Sequence, residues 1–460
     1  MHIKKLSLLA LSIGTFSLAA EAEPERRGFK ATALKDTSAQ AEAAGFIEGQ
    51  SLSGWTRNFF AQERTQRDTR FGIKKSDGRT ESTRRRETWT QGTVLDYSSG
   101  FTQGTVGIAA QVAAYNEIAL QQGHGRIAGG GNRTLTDNDG DAVEQWSKLG
   151  LANLKARVSN TTFTAGRMAI SSPIVDVIGN RALPSSFEGI AINSAEFDNL
   201  SFDFGLFDRV SPRTEQSLTR FTSEYADRAI TTDKVTQAGL DYQPFDNLST
   251  KLYAANVKDF WNQYYLNINH SMGDNASLSL TTDFNYYRTR DTGQRKLGAI
   301  DNNTYSLGFT ASHQAHSLTL AYQHVDGNEY FDYLHETNGI YLANSLFSDF
   351  NGPNEKSVQV AYVLDMAGYG VPGLALNAYT ARGWGIDGTH YKGGGYDGIQ
   401  AMDGEKHIEY GIGATYVVQS GALKNSRIRT TYATHRASAE QADGSLRELR
   451  VVTQIPFDIL

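Results

Sequence analysis

The sequence predicts an all-β fold, namely a transmembrane antiparallel β-barrel of about 18 strands with inward-folded constriction loops. Three observations predict it. Apolar and polar residues alternate along most of the chain, the connections are rich in Gly, Asn and Asp, and no segment beyond the N-terminus has the roughly 18–20 consecutive apolar residues of a spanning helix. A chain that crosses lipid without helices must close its sheet, because unpaired backbone groups are costly there.

The composition of the 460-residue chain excludes several classes of protein. It contains no cysteine, which excludes a disulfide scaffold, a Cys-based zinc site, an iron–sulfur cluster and a thiol nucleophile. The 44 Lys+Arg and 50 Asp+Glu give a formal net charge of −6, which argues against a nucleic-acid-binding protein. The 45 Gly, 22 Tyr and 22 Phe are typical of β structure.

The N-terminus has the features of an export signal. Lys4 and Lys5 precede an apolar run from Leu6 to Ala20, and residues 20–22 (Ala-Glu-Ala) form a small-x-small cleavage pattern. We therefore predict a signal peptide over residues 1–22, followed by one barrel domain over residues 23–460. A buried first helix is the alternative interpretation of the apolar run.

The body of the chain alternates with a period of two residues, which is typical of strands with one apolar and one polar face. The pattern is clearest in 106–115, 201–208, 277–287, 317–323, 357–364 and 449–459. A soluble β-sandwich would bury the apolar face, whereas a membrane barrel turns it to lipid and keeps the polar face in a wet lumen. The barrel is favoured because the pattern covers nearly the whole chain, between polar connections of uneven length such as 121–143 and 383–407.

Aromatic residues and chain length agree with a barrel. Aromatic girdles lie at the membrane interfaces, near strand ends, and the residues expected there are Tyr264, Tyr265, Tyr286, Tyr287 and Phe457. At about 24 residues per strand and connection, the chain after residue 22 would form about 18 strands. A barrel of that size is wide enough for an aqueous path.

Ten short segments follow one another in order from residue 45 to the C-terminal region: GFIEGQSL (45–52), WTQG (89–92), GFTQGTVG (100–107), QYYLN (263–267), YLANS (341–345), SDFNGPNEKS (348–357), YGVPGL (369–374), YVVQSG (416–421), RIR (427–429) and HRA (435–437). In these segments the chain resembles the OprD family of substrate-specific porins of the Gram-negative outer membrane. The resemblance implies an 18-stranded monomeric barrel narrowed by its loops. It also implies passage of small carboxylate-containing nutrients and, in several members, carbapenem-like antibiotics.

Arginines on polar strand positions are the candidates for contact with a carboxylate. Arg427 and Arg429 are two residues apart and share a face, Arg450 has the polar parity of the last strand, and Arg57 lies in the first strand. Guanidinium stays charged and pairs with carboxylate through two parallel hydrogen bonds. The resemblance implies that Arg86, Arg427, Arg429 and Arg450 form a ladder for the substrate. Alternatively, they balance nearby acids or contact lipopolysaccharide.

Two loops are expected to narrow the channel. The first covers about 170–192 and contains Asp176 and Arg181, and the second is the segment around 335–352. We include Asp176 and Arg181 among the channel-lining candidates because both are charged residues of the first loop.

The resemblance further implies an acidic pocket that receives a substrate's amino group, and Asp349 matches one of its positions. Where the basic-amino-acid channels of the family have a second acid, this chain has Asn338, and Thr415 replaces a ladder lysine. The missing acid favours monocarboxylates, neutral or acidic amino acids or short peptides over arginine and lysine. A porin selective for basic amino acids remains the alternative.

Other chemistry has little support. An outer-membrane hydrolase would need a pair such as His270 and Ser271, but adjacent strand residues point to opposite faces. The loop 137–141 lacks the glycine position and the terminal Glu of an EF-hand, and the glycine-rich segment 123–131 lacks the GK[ST] of a phosphate-binding loop.

The sequence thus predicts a passive channel of the cell outer membrane that is not an enzyme and has no cofactor and no metal site. Its expected partners are small anionic or zwitterionic solutes, outer-membrane lipid and lipopolysaccharide. Nucleic acid is not among them, and the sequence leaves a monomer and a loose trimer open.

Overall fold

The computed structural model describes residues 37–67, 70–74, 79–121, 134–137 and 142–460. The predicted signal peptide (1–22) and the glycine-rich segment 123–131 lie outside these residues, as does all of the loop 137–141 except its first residue. No helix within the described ranges is long and apolar enough to cross a membrane. The two helical elements found there are 3-10 turns at Met366–Tyr369 and Ile399–Ala401.

The strands of the described chain form a barrel and one small hairpin. In order they are β1 (Ser51–Thr65), β2 (Phe71–Lys74), β3 (Thr80–Thr83), β4 (Arg85–Ser98), β5 (Gly107–Ala119), β6 (Gln145–Val158), β7 (Thr161–Met168), β8 (Ser186–Phe197), β9 (Leu200–Ser211), β10 (Val235–Phe245), β11 (Leu248–Val257), β12 (Trp261–Asp274), β13 (Leu278–Asp291), β14 (Asp301–His313), β15 (His316–Asp326), β16 (Lys356–Asp365), β17 (Leu374–Asp387), β18 (Asp403–Val417), β19 (Arg427–Ala437) and β20 (Leu446–Asp458). All except the β2–β3 hairpin belong to one antiparallel sheet of 18 strands, which closes because β1 pairs with both β4 and β20. The predicted fold class and strand number are confirmed.

Large apolar side chains cover the outer surface of the barrel. Leu320 of β15 is 51% exposed, and Phe309 and Val360, which lie opposite it on the neighbouring strands, are 43% and 44% exposed. On the same strand Ala321 and Gln323 point inward and are buried. A continuous apolar band of this kind is stable against lipid and not against water. The soluble-sandwich alternative is therefore wrong.

The two ends of the barrel differ in the length of their connections. At one end the strands are joined by tight turns such as 159–160, 198–199, 246–247 and 314–315, and this end also holds the start of β1 and the end of β20. At the other end the connections include 120–144, 169–185, 212–234 and 327–355. In outer-membrane barrels the short turns face the periplasm and the long loops face outward, which orients the chain.

The aromatic prediction is only half correct. Tyr264 is 51% exposed on the outer face, but Tyr265 points inward, where its hydroxyl donates to Asn285 Oδ1 at 2.6 Å. Tyr287 is likewise fully buried inside the barrel. Because adjacent strand residues alternate between faces, one tyrosine of each pair packs against the constriction loops instead of lying in the girdle.

Replacing Leu320 by Arg tests the assignment of the outer face. We expect the variant to lose about 2–4 kcal/mol of the free energy of unfolding, because a charged side chain near the bilayer midplane is poorly solvated. The measurement is urea unfolding in phospholipid vesicles. The matched control is Thr319→Arg, since Thr319 faces the lumen beside Thr310. Equal losses in both variants would contradict the assignment.

Candidate functional site

Three long loops fold into the barrel and narrow it. We call them loop A (169–185), loop B (212–234) and loop C (327–355). Loop A was expected over 170–192, but residues 186–192 belong to β8, so the upper boundary was wrong. Loop C contains the predicted segment 335–352, whereas loop B was not predicted.

Apolar side chains from all three loops share one core inside the barrel. Ile174 of loop A, Phe221 of loop B, and Phe331 and Leu334 of loop C are each at most 2% exposed within a single cluster. The cluster also includes inward-facing strand residues, so the loops are packed against the wall. Burial of this apolar surface, at about 25 cal/mol per Å², holds the loops inside the lumen.

Polar contacts lock the loops to one another. The backbone N–H of Arg213 in loop B donates to Glu336 Oε2 of loop C at 2.8 Å, and its guanidinium pairs with the same carboxylate at 3.3 Å. That guanidinium also donates to Asn180 Oδ1 of loop A. Burial is the largest single effect and raises the pKa of Glu336, but Arg213 and His335 together outweigh it and leave the pKa below its usual value. The carboxylate therefore stays charged and keeps the three loops joined.

Arg57 of β1 holds loop A from the barrel wall. Its side chain is almost fully buried, and Nη1 donates to the carbonyl oxygens of Gly179 at 2.6 Å and Arg181 at 2.7 Å. Nε and Nη2 both donate to Gln454 Oε1 on β20, at 3.0 and 2.7 Å. The guanidinium therefore fixes the backbone from which Arg181 projects. The sequence placed Arg57 on a strand but contained no signal for this contact.

The four ladder arginines lie on one stretch of the wall and at successive levels. In each cross-strand row the matching β1 residue is Glu63 for Arg86, Ala61 for Arg450, Phe59 for Arg429 and Arg57 for Arg427. Paired residues in neighbouring antiparallel strands share a face, so all four side chains belong to the lumen face. Consecutive rows are two residues, or about 7 Å, apart along the strand. The shared face predicted for Arg427, Arg429 and Arg450 is present.

The upper rungs are paired with wall carboxylates. Arg86 makes two hydrogen bonds to Glu63, with Nε–Oε2 at 2.7 Å and Nη2–Oε1 at 2.9 Å, and Arg450 pairs with Glu448 at 2.7 Å. Arg427, nearest the periplasmic end, is half-buried and has no ion pair among the described residues. Carboxylates of the wall thus compensate the charges of Arg86 and Arg450 but not that of Arg427.

A cavity of about 90 Å³ lies between loops A and C and this wall. Its lining includes Arg181 of loop A, Phe347 of loop C, and Tyr379 and Arg450 of the barrel. Two of the predicted site residues, Arg181 and Arg450, therefore line the same cavity from different elements.

Asp349 of loop C lies in a pocket of hydroxyl groups. Tyr225 and Tyr333 each donate to Asp349 Oδ2 at 2.8 Å, and Ser345 donates to Oδ1 at 2.9 Å. Burial is the main effect and raises the pKa of Asp349 to about 6, although the hydrogen bonds favour the charged form. The pocket therefore holds a carboxylate whose charge changes just below neutral pH.

Asp176 and Asn338 meet at the junction of loops A and C. Asn338 Nδ2 donates to Asp176 Oδ2 at 3.3 Å, its backbone N–H donates to the Asp176 carbonyl at 3.0 Å, and Tyr341 donates to the same carboxylate at 2.9 Å. The side chain of Asp176 is buried. These contacts join the loops, so both residues shape the constriction through its geometry.

The pair considered for a hydrolase does not meet. Ser271 Oγ lies 3.0 Å from Thr281 Oγ1, and His270 lies 3.3 Å from the side chain of Asn247. The two side chains point to opposite faces of β12, because adjacent residues of a β-strand alternate, and each contacts a different neighbour.

The chain is similar to known porins over most of its length. Residues 44–459 match the family described as outer membrane porin, OprD family. Porin D of Pseudomonas aeruginosa is 39% identical over 435 residues, which cover 92% of this chain and 94% of that protein. The crystal structure of P. aeruginosa OccD3 (OpdP) is 47% identical with a TM-score of 0.81, covering 93% of this chain and 96% of that one. P. aeruginosa OpdK with vanillate is 26% identical with a TM-score of 0.77, over 90% of this chain and 100% of that one.

Replacing Arg57 by Ala tests its contact with loop A. We expect a higher single-channel conductance in planar bilayers, because the backbone of residues 179–181 is no longer held to the wall. The free energy of unfolding should fall by about 3 kcal/mol, since charged hydrogen bonds are lost and two carbonyls lose their donor. Arg64→Ala on the outer face of the same strand is the control. Unchanged conductance in a folded Arg57→Ala barrel would contradict this role, because other contacts would then be enough to hold loop A in place.

The pKa of Asp349 predicts a pH-dependent ion selectivity. As the pH falls through about 6 the carboxylate becomes neutral, so the constriction loses a negative charge and the ratio of cation to anion permeability should decrease. Reversal potentials in a salt gradient between about pH 8 and pH 5 measure this. The Asp349→Asn variant should show a smaller change in selectivity with pH. Part of the change should persist, because burial also raises the pKa of Asp332 to about 6. The exposed Asp227→Asn is the control, and an Asp349→Asn profile identical to wild type would contradict the assignment.

Proposed function

Since the chain belongs to the OprD family of substrate-specific outer-membrane porins, we propose that its lumen passes small carboxylate-bearing solutes by passive diffusion. Monocarboxylates, neutral or acidic amino acids and short peptides are the proposed substrates. The protein is an outer-membrane channel and not an enzyme, in keeping with its relatives.

The observation that carries the proposal is the arrangement of arginines along one stretch of the lumen wall. Rungs about 7 Å apart allow a carboxylate to leave one guanidinium while it approaches the next. Conduction needs such a series of weak sites, because a single tight site would retain the solute. The less compensated charge of Arg427 attracts a carboxylate more strongly than the paired Arg86 and Arg450 do, which draws the solute towards the periplasmic end of the barrel.

The other end of the solute meets the constriction. Loop C presents Asp349 next to the tyrosine hydroxyls of Tyr225 and Tyr333, which suit an ammonium group or a hydrogen-bond donor. A solute that is anionic at one end and neutral or cationic at the other would fit between this pocket and the arginine wall. Asn338 adds no charge, which supports the preference against a second positive group.

A relative supports the carboxylate class without identifying the substrate. The structure of P. aeruginosa OpdK contains vanillate, whose ionised group is a carboxylate. Because the two chains are only 26% identical, we extend to this chain the carboxylate class of solute and not vanillate itself.

A second candidate function is a porin for basic amino acids. Two aspartate side chains on a part of the barrel wall away from the arginine ladder favour it. Asp203 of β9 and Asp241 of β10 line a cavity of about 250 Å³ behind loop A. However, Lys251 pairs with Asp241, and the hydroxyl of Tyr253 donates to Asp203 at 2.7 Å. These partners reduce the attraction for a guanidinium or ammonium solute, so we rank this function second.

The double variant Arg427→Gln plus Arg429→Gln tests the ladder. We expect about a three- to tenfold lower uptake of benzoate, glutamate and a dipeptide, since each of the two lost contacts in the wet lumen is worth about 0.3–0.7 kcal/mol. Uptake of uncharged sugars should change little, and the difference should shrink at high salt because the charges are screened. Radiolabelled uptake into proteoliposomes is the measurement.

The matched control removes two positive charges from the outside of the barrel. Arg382 of β17 and Arg436 of β19 are both exposed on the outer face. The variant Arg382→Gln plus Arg436→Gln therefore makes the same change in net charge without altering the lumen face. Equal uptake by wild type and the ladder variant would contradict the role of Arg427 and Arg429. A clear preference for arginine over glutamate would favour the second candidate.

A further inference from the structure

Two histidines and an aspartate come together at the extracellular end of the barrel, away from the arginine ladder. His407 of β18 and His435 of β19 are 3% and 0% exposed, and Asp443 lies in the connection 438–445 between β19 and β20. Each offers one donor atom, and these three atoms lie within 4.8 Å of one another. The chain segments that bring them together are separated by 28 and 8 residues.

The hydrogen bonds around the two imidazoles define which nitrogens carry hydrogen. His435 Nδ1 lies 2.6 Å from the carbonyl oxygen of Gly444, which only accepts, so this nitrogen must donate. His407 Nε2 lies 2.5 Å from Glu355 Oε1 and must likewise donate to the carboxylate. In the neutral rings, His435 Nε2 and His407 Nδ1 therefore carry the lone pairs.

These two nitrogens face each other at 2.7 Å. Two lone pairs at that distance repel, so a cation must lie between them, either a proton shared by the rings or a metal ion. The carboxylate of Asp443 belongs to the same group of donors, and it accepts hydrogen bonds from Ser348 Oγ at 2.5 Å and Gln441 Nε2 at 3.1 Å. These contacts orient the carboxylate beside the imidazoles.

The surroundings resemble the outer ligand sphere of metal-bound histidine. Such histidines donate their second ring N–H to a carboxylate or a backbone carbonyl, which fixes the ring and raises its basicity. Here Glu355 and the Gly444 carbonyl provide one acceptor of each kind. A hydrogen bond between two histidines alone would not need both rings to be oriented in this way.

We propose that His407 Nδ1, His435 Nε2 and the Asp443 carboxylate bind a divalent transition-metal ion, with zinc the best match. Imidazole and carboxylate ligands suit Zn²⁺, Cu²⁺ and Ni²⁺, whereas Ca²⁺ and Mg²⁺ prefer oxygen donors alone. Zn–N bonds of about 2.0 Å in a tetrahedral site place the two nitrogens about 3.3 Å apart, so these atoms, now 2.7 Å apart, must separate by about 0.6 Å. Asp443 is half-buried and gives the ion a route from the extracellular side.

The site would connect the barrel rim with the constriction. Ser348 and Glu355 both belong to loop C, and the backbone N–H groups of Phe347 and Ser348 donate to Glu409 of β18 at 3.0 and 2.8 Å. A bound ion would therefore hold β18, β19 and the connection 438–445 together next to the base of loop C. This inference does not depend on which solute passes through the channel.

The test uses the full-length barrel in detergent micelles, prepared without a polyhistidine tag and treated with a chelator. Titration calorimetry with zinc chloride should show one ion per chain, and cobalt chloride should produce the intense visible absorption of four-coordinate Co²⁺. Calcium chloride should give no binding signal. Binding should weaken as the pH falls, because protons compete for both imidazoles.

Two variants separate metal binding from a purely structural cluster. Asp443→Asn and His435→Gln should each lower zinc affinity by at least about tenfold and abolish the cobalt absorption. A heat-modifiable gel shift confirms that each barrel is folded, and Asp443, in a loop, is the change least able to disturb folding.

Two histidines at the opposite end of the barrel provide the control. His313→Gln and His316→Gln, in or next to the turn 314–315, should leave both signals unchanged. Absence of zinc binding by the wild type would overturn the site. Binding that persists unchanged in folded Asp443→Asn and His435→Gln would overturn it equally, because the ion would then lie elsewhere.

Discussion

Backbone hydrogen bonding in lipid is the constraint on which the rest of this structure depends. A spanning strand cannot leave its N–H and C=O groups unpaired in hydrocarbon, so the sheet has to close, and here it closes where β1 pairs with β20. Closure forces every strand to present one face to lipid and the other to water. The exposed leucines and valines outside and the polar rows inside are two consequences of the same pairing.

The closed wall then determines how the loops are held. A lumen of 18 strands is wide, and selectivity requires that loops fill part of it without losing their own hydrogen bonds. Arg57 satisfies two carbonyls of loop A, and Arg213 with Glu336 satisfies groups of loops B and C. Charged side chains suit this task because their hydrogen bonds are stronger than neutral ones and each guanidinium reaches several acceptors.

The same loops couple distant parts of the molecule. Loop C carries Asp349 at the constriction, Asn338 at the contact with loop A, and Ser348 and Glu355 beside the two rim histidines. Along the ladder, Arg86 and Arg450 combine a position on the lumen wall with an ion pair that stabilises that wall. The two interpretations of these arginines, substrate guidance and charge balance, are therefore compatible for the upper rungs.

The sequence by itself determined the fold class and the faces of Arg427, Arg429 and Arg450, because a period of two is a local property of the chain. The length of the chain determined the strand number. Family resemblance, not periodicity, supplied Arg86 and Asp349. Only the tertiary structure decided that loop A ends at residue 185, that Tyr265 and Tyr287 face inward, that Arg57 anchors loop A, and that His407 and His435 meet Asp443. These features depend on contacts between segments far apart in the chain, and neither spacing nor composition encodes which distant group a buried side chain will reach.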